Sequence, residues 1–256
     1  MSEKDNSVGV FLSQYAATLL ECGATTIRIE KNVLRMAEAY GCTARVNMYP
    51  LHIELVLEDI DTGRTTTVSK PVHNSAPNYH TITELSKLSW NCYDRRIPLD
   101  EAIALYKHVV STPRIPFAVV TTLTALANAS FCRLFNGDWI AMLIVAIATA
   151  AGFYVKRELI RTWHISALPA IIISACLSAV LSCSCYVFNL GTTPDIALAT
   201  SVLYLVPGIP YLNSISDLIN GHYICATSRL IYSCMITICL AVGLYIGLLL
   251  MNAHMM

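Results

Sequence analysis

Pro207, Gly208, Pro210, Asn213 and Asp217 all fall within residues 205–217 of this 256-residue chain, at the end of a membrane-length apolar run. Proline removes a backbone donor and clashes with the preceding turn, so no uninterrupted helix is expected through Pro207 and Pro210. In hydrocarbon the freed backbone groups cost several kcal/mol unless protein or water satisfies them, and breaks of this kind form substrate sites in transporters. Asn213 and Asp217 are four apart and share one face of a helix resuming after Pro210. Gly221 falls near that face, and Arg229 ends the polar stretch. Two chemistries fit: the free N–H groups of a helix start attract a carboxylate, and an aspartate near a membrane can take up and release a proton. A plainer reading fits the spacing equally well, in which the prolines end the span and Asp217 is a solvated interfacial charge.

The elements that must position these residues divide sharply by charge. Residues 1–114 carry 12 of the 17 basic and 13 of the 17 acidic side chains. The remainder reads as membrane-embedded, with five apolar segments at roughly 115–132, 139–155, 165–187, 196–212 and 230–251. Lys156, Arg157 and Arg161 lie between the second and third, and only Asp195 lies between the third and fourth. The positive-inside rule therefore places the N-terminal domain and the 156–164 loop in the cytoplasm and residues 252–256 outside, with Arg133 dissenting. No cleavable leader is expected at the start. Thr121, Thr122, Thr124 and Asn128 give the first span a polar character, for which bonds back to the same helix are the preferred reading over a pathway. Asp195, after Thr193-Pro194, suits a helix start. Small pairs at four-residue spacing (Ala125/Ala129, Ala146/Ala150, Gly243/Gly247) permit close helix approach, within the chain or in a homo-oligomer.

Residues 1–112 read as an α+β domain. Val8, Phe11, Leu12, Tyr15 and Leu19 have helical spacing up to Gly23, and Thr25 or Thr26 opens a second helix with Ile29, Val33, Leu34 and Met36 as its stripe. Residues 45–49, 51–57 and 65–68 read as strands around the Asp61-Thr62-Gly63 turn, and 82–93 and 99–110 return to helix. An enzyme in this domain would need His52, Glu54, His73 and His80 to converge, and a ligand sensor would need an isolated pocket in residues 1–112. No metal-hydrolase spacing, phosphate loop, nucleophile elbow or dinucleotide fingerprint occurs, so no metal, cofactor or catalytic residue is assigned. Zero net charge gives no reason to expect nucleic acid. The ten scattered cysteines contain no CxxC pair, and neither a disulfide framework nor a zinc site is expected.

Residues 203–221 with Arg229 (a VPGIP…N…D…G…R pattern), 131–139 (FCRLFNGDW) and 21–30 (ECGATTIRIE) together resemble the threonine/serine exporter family of bacterial inner-membrane proteins. The resemblance covers most of the chain and implies a soluble domain before the spans, no enzymatic activity, and export of a succinate-like dicarboxylate or a threonine/serine-like amino acid, driven by the proton gradient. Pro207, Gly208, Pro210, Asn213, Asp217 and Arg229 match its pattern, while Asn136-Gly137 replaces the Gly-Gly of many members. Full-length members have about ten spans in two related halves. Five spans resemble the larger component of a split, succinate-exporting form, in which a second small multi-span subunit supplies the other half.

Overall fold

The computed structural model describes residues 3–73 and 77–251; the tail expected outside, 252–256, lies beyond the described residues. The chain clusters into two compact units, one from Met1–Pro113 with Ile209–Ile231, the other from Arg114–Gly208 with Tyr232–Met256.

In the first unit, α1 (Glu3–Glu21) stops at Gly23, whose φ of 85° suits glycine. The Gly23 N–H reaches the Leu20 carbonyl and the Ala24 N–H that of Leu19, a glycine-centred cap that turns the chain directly into α2 (Thr26–Ala39). Strands β1 (Cys42–Met48), β2 (His52–Asp59) and β3 (Thr65–Pro71) form an antiparallel sheet in that order, with Ala44 opposite Leu57 and Leu55 opposite Val68. Helices α3 (Tyr79–Arg95), capped by Asn78, and α4 (Leu99–Ser111) complete this part. The core joins Leu12, Tyr15 and Leu19 of α1 to Ile29, Val33 and Met36 of α2, Ile53 and Leu55 of β2, and Leu85 of α3. Leu34, expected on the α2 stripe, is instead exposed, because the buried positions 29, 33, 36 and 37 leave it on the flank.

The second unit contains α5 (Phe117–Leu134), α6 (Trp139–Arg161), α7 (Ala167–Val187) and α8 (Pro194–Ser201), followed by a 3-10 turn at Leu203–Leu205. After the break come α9 (Gly208–Ile219) and α10 (Tyr223–Leu250). Helices α5, α6, α7 and α10 are long and apolar enough to cross a membrane, and α8 with α9 would make a fifth, broken span. Exposed Ile238, Val242, Tyr245 and Leu249 on α10 suit contact with lipid. Two helices outrun their apolar segments. Helix α6 continues to Arg161, so Lys156 and Arg157 are helical and not in a loop; long basic side chains favour helix, and their stems can lie along apolar surface. Helix α10 begins at Tyr223, well before residue 230, because Arg229 interrupts the apolarity but not the helix. Gly243 and Gly247 lie against α7: a Cβ at Gly243 would sit 2.4 Å from the Ile172 carbonyl, and one at Gly247 2.6 Å from Ala179 Cβ. Of the other small pairs, Ala125 and Ala129 are buried, whereas Ala146 and Ala150 are only partly so.

The 131–139 motif folds into a tight loop. Asn136 has φ 67°, a Cβ at Gly137 would collide with Cys132 Sγ, and Arg133 Nη1 donates to the Gly137 carbonyl at 3.1 Å. Asp138 caps α6 by accepting the Ala141 N–H at 2.6 Å, and its other oxygen accepts the Thr192 N–H and hydroxyl. Asp195 falls in the first turn of α8 and accepts the Tyr186 hydroxyl. The backbone donors of Ala141, then of Thr192, hold the Asp138 carboxyl below the usual aspartate range. A depressed folded-state value adds stability above the unfolded pKa of about 3.9 and loses it as pH falls through the folded value. Thermal unfolding of wild type and Asp138→Ala should therefore differ most near neutrality, and the difference should shrink below about pH 4; a constant difference across that range would refute the assignment.

Candidate functional site

The structure brings together two of the motifs singled out in the sequence. Helix α8 and its 3-10 turn end at Val206, whose backbone is extended (φ −62°, ψ 126°), and α9 starts at Gly208 instead of after Pro210. Pro210 thereby falls in the first turn of α9, where its missing N–H leaves no intrahelical bond unmade. A Cβ at Gly208 would meet nothing within 4 Å, so nothing in the structure requires glycine there. Gly221 is different. Its φ of 82° ends α9, with the Gly221 N–H on the Leu218 carbonyl and the His222 N–H on the Asp217 carbonyl.

Within this frame Asn213, Asp217 and Arg229 all reach the 23–26 loop of the same unit. Asn213 Nδ2 donates to the Gly23 carbonyl at 2.9 Å, and Arg229 Nη2 to the Ala24 carbonyl at 2.9 Å. Asp217 is fully buried. Its Oδ1 accepts the Thr26 hydroxyl at 2.6 Å and the Thr26 N–H at 3.2 Å, and its Oδ2 accepts Arg229 Nη1 at 2.7 Å. Thr25, the residue before α2, makes no side-chain cap, so the carboxylate from α9 fills that place. A negative group at the positive end of α2, paired with a guanidinium, has its charge matched twice. Around it, Ser214 Oγ donates to the Ala226 carbonyl, His222 Nε2 lies 3.4 Å from Glu30, and Cys225 Sγ contacts the Met48 carbonyl. A shallow cleft of about 280 Å³ opens between residues 46–49 and 221–225.

The histidines do not converge. His52 stacks on Tyr49 at 4.4 Å, Glu54 takes Asn47, His73 contacts Glu21, and His80 is exposed.

A second constellation, inside the second unit, is only partly visible in the sequence. Thr121, Thr122 and Thr124 each bond back to a carbonyl four residues earlier. Asn128 does not. Buried at 3% exposure, it donates to Thr149 Oγ1 on α6 at 2.6 Å and to the Thr200 carbonyl on α8 at 3.0 Å. Near the break, Tyr204 and Ser178 hydroxyls lie 3.0 Å apart, and Ser178 reaches the Ala148 carbonyl at 3.2 Å. Ser178 has one proton, so it donates to the carbonyl and accepts from Tyr204. Gly152 makes room for both: a Cβ there would lie 2.0 Å from the Tyr204 hydroxyl and 2.4 Å from Ser178 Oγ. The readable signal was one amide among hydroxyls, since asparagine cannot satisfy itself on its own helix as threonine does.

Comparison with known proteins gives a consistent result. The family described as "Putative threonine/serine exporter" matches residues 10–251. The protein named "Probable succinate transporter subunit YjjP" of Escherichia coli K12 is 27% identical over 96% of both chains, and its Klebsiella aerogenes namesake is 26% identical over 92% of this chain and 90% of its own. A "Probable threonine/serine exporter" of Mycobacterium tuberculosis is 21% identical over 91% of this chain, but this match covers only 44% of that protein. No solved structure matches.

Breaking a buried ion pair by removing one partner costs about 3–5 kcal/mol, because the other charge is stranded. Asp217→Asn and Arg229→Leu should each lower the unfolding temperature of the purified protein markedly, and the double variant should lose much less than the sum. Strictly additive losses would show that the two side chains do not act as a pair.

Proposed function

The chain belongs to the threonine/serine exporter family, and from that premise we propose that it exports a small carboxylate metabolite as one subunit of a two-component carrier. The family is one of transporters, not of enzymes, and the chain is a multi-pass bacterial membrane protein. The observation that carries the reading further is the row of amide and hydroxyl groups from buried Asn128 to partly buried Tyr204, beside the break. Polar groups held inside a membrane domain are costly and mark pathways. Succinate is the favoured substrate, on the names of the relatives matching end to end, and threonine or serine is the second.

A second small multi-span subunit is supported by the word "subunit" in those names and by the length of the mycobacterial relative left unmatched. Such a partner, inserted in the opposite orientation, would complete an inverted-repeat carrier. The charge pattern favours a cytoplasmic N-terminal unit in the inner membrane.

Asp217 takes a positioning role in this reading. Coupling export to protons through it would require the carboxylate to release both Arg229 and the α2 terminus in every cycle. Pro207 and Pro210 set the break and the start of α9 at Gly208, Asn213 ties α9 to the 23–26 loop, and Gly221 and Arg229 fix its end and its charge partner.

Succinate, threonine and serine efflux from loaded cells, with this chain expressed alone and with its candidate partner, tests the proposal. Succinate release that needs both chains is expected; no release of any of the three would overturn the reading. Asp217→Asn should reduce efflux by the same factor at every external pH, whereas a defect confined to one side of a pH midpoint would return Asp217 to proton coupling.

A further inference from the structure

Lys156 is the cation that the sequence counted as a loop charge and the structure places inside α6. It stands four residues after Gly152 and seven after Thr149, so the three share one face of the helix. Thr149 on that face holds Asn128, and Gly152 is where Tyr204 and Ser178 meet. Lys156 is partly buried and pairs with no carboxylate among the described residues. Its neighbour Arg157 is spoken for, lying 3.8 Å over the Phe117 ring. Phe117 stacks on Phe153, which meets Tyr204 edge-on at 6.2 Å, giving the Tyr204 end of the row an aromatic wall. Beyond Ser178, one helical turn along α7, Ser182 is fully buried and its hydroxyl has no hydrogen-bond partner among the described residues. An unsatisfied buried hydroxyl is destabilising, and a bound polar group would remove that cost.

We propose that Lys156, Tyr204 and Ser178 form the carboxylate-binding site of this exporter, with Asn128, Thr149 and Ser182 continuing as a neutral lane along which the substrate passes. The site rests on the exporter reading above and names where its substrate is held. An ammonium at one end supplies the only full charge, which suits the carboxylate of a dicarboxylate or of an amino acid. The Tyr204 hydroxyl can donate its hydrogen bond to a carboxylate once it releases Ser178, and Gly152 gives Tyr204 and Ser178 the room that a larger residue would take. From Lys156 to Thr149 the face runs about 10 Å along α6, roughly a third of the hydrocarbon thickness.

Lysines near helix ends also reach lipid phosphates, and the experiment separates the two sources of anion. Efflux of succinate and of threonine is measured in the chain's own host, carrying wild type, Lys156→Gln, Lys156→Arg or Tyr204→Phe. Thermal unfolding of each purified chain is measured with and without succinate, threonine or inorganic phosphate, in phosphatidylcholine and in phosphatidylglycerol vesicles. Lys156→Gln should raise the internal concentration for half-maximal efflux about tenfold or more, as the loss of one charge-assisted hydrogen bond implies. It should also abolish substrate-induced stabilisation while leaving ligand-free unfolding unchanged. Lys156→Arg should retain most of both, and Tyr204→Phe should fall between. Wild-type efflux matched by Lys156→Gln would overturn this site and leave the exporter reading standing. An effect seen only as altered stability in phosphatidylglycerol would assign the lysine to lipid and overturn it equally. Absence of efflux from wild type would remove the exporter reading and the site together.

Discussion

A fully buried carboxylate must have its charge answered, and in this protein Asp217 is answered by the N-terminus of α2 and by Arg229. Much of the first unit's arrangement follows from that requirement. Gly23 must turn left-handed to end α1, so that the Gly23 and Ala24 carbonyls face Asn213 and Arg229. Gly221 must do the same to end α9 directly after the turn that carries Asp217. The break before Gly208 lets α9 begin afresh, so its register is independent of the span that precedes it. Two sequence motifs nearly two hundred residues apart are thus halves of one hydrogen-bonded junction.

The junction also explains why the motif richest in chemical residues is not where the chain keeps its free polar groups. Asn213, Asp217 and Arg229 spend their donors and acceptors on the 23–26 loop. The groups with capacity for a ligand lie in the second unit, where Tyr204 and Ser178 bond each other and, among the described residues, the Ser182 hydroxyl has no hydrogen-bond partner and Lys156 no counter-charge. Family membership makes such a row meaningful, because a carrier must expose donors to its cargo at some stage of its cycle.

Much of the fold was legible because helical and strand periods are strong signals. The stripe from Val8 to Leu19, the strands either side of Asp61-Thr62-Gly63, and four of the five apolar segments appear near their expected places, while the segment 196–212 divides into α8, a 3-10 turn and the start of α9. Helix ends were harder: apolarity stops at a charge, but α6 runs on through Lys156 to Arg161 and α10 begins before Arg229. The site was half legible. Asn213 and Asp217 were expected on one face, and both do point to the same loop, but periodicity carries no information about a partner so distant in sequence. Asn128 was grouped with threonines that satisfy themselves locally, and its contacts with Thr149 and Thr200 on other helices separate it from them.

Asp217 caps and holds the first turn of α2. Amide hydrogen exchange of the full-length protein, compared between wild type and Asp217→Asn, tests it at the residues concerned. Faster exchange across residues 24–30, with residues 82–93 of α3 little changed, is the predicted result. Unchanged exchange in the first turn of α2 would contradict the account.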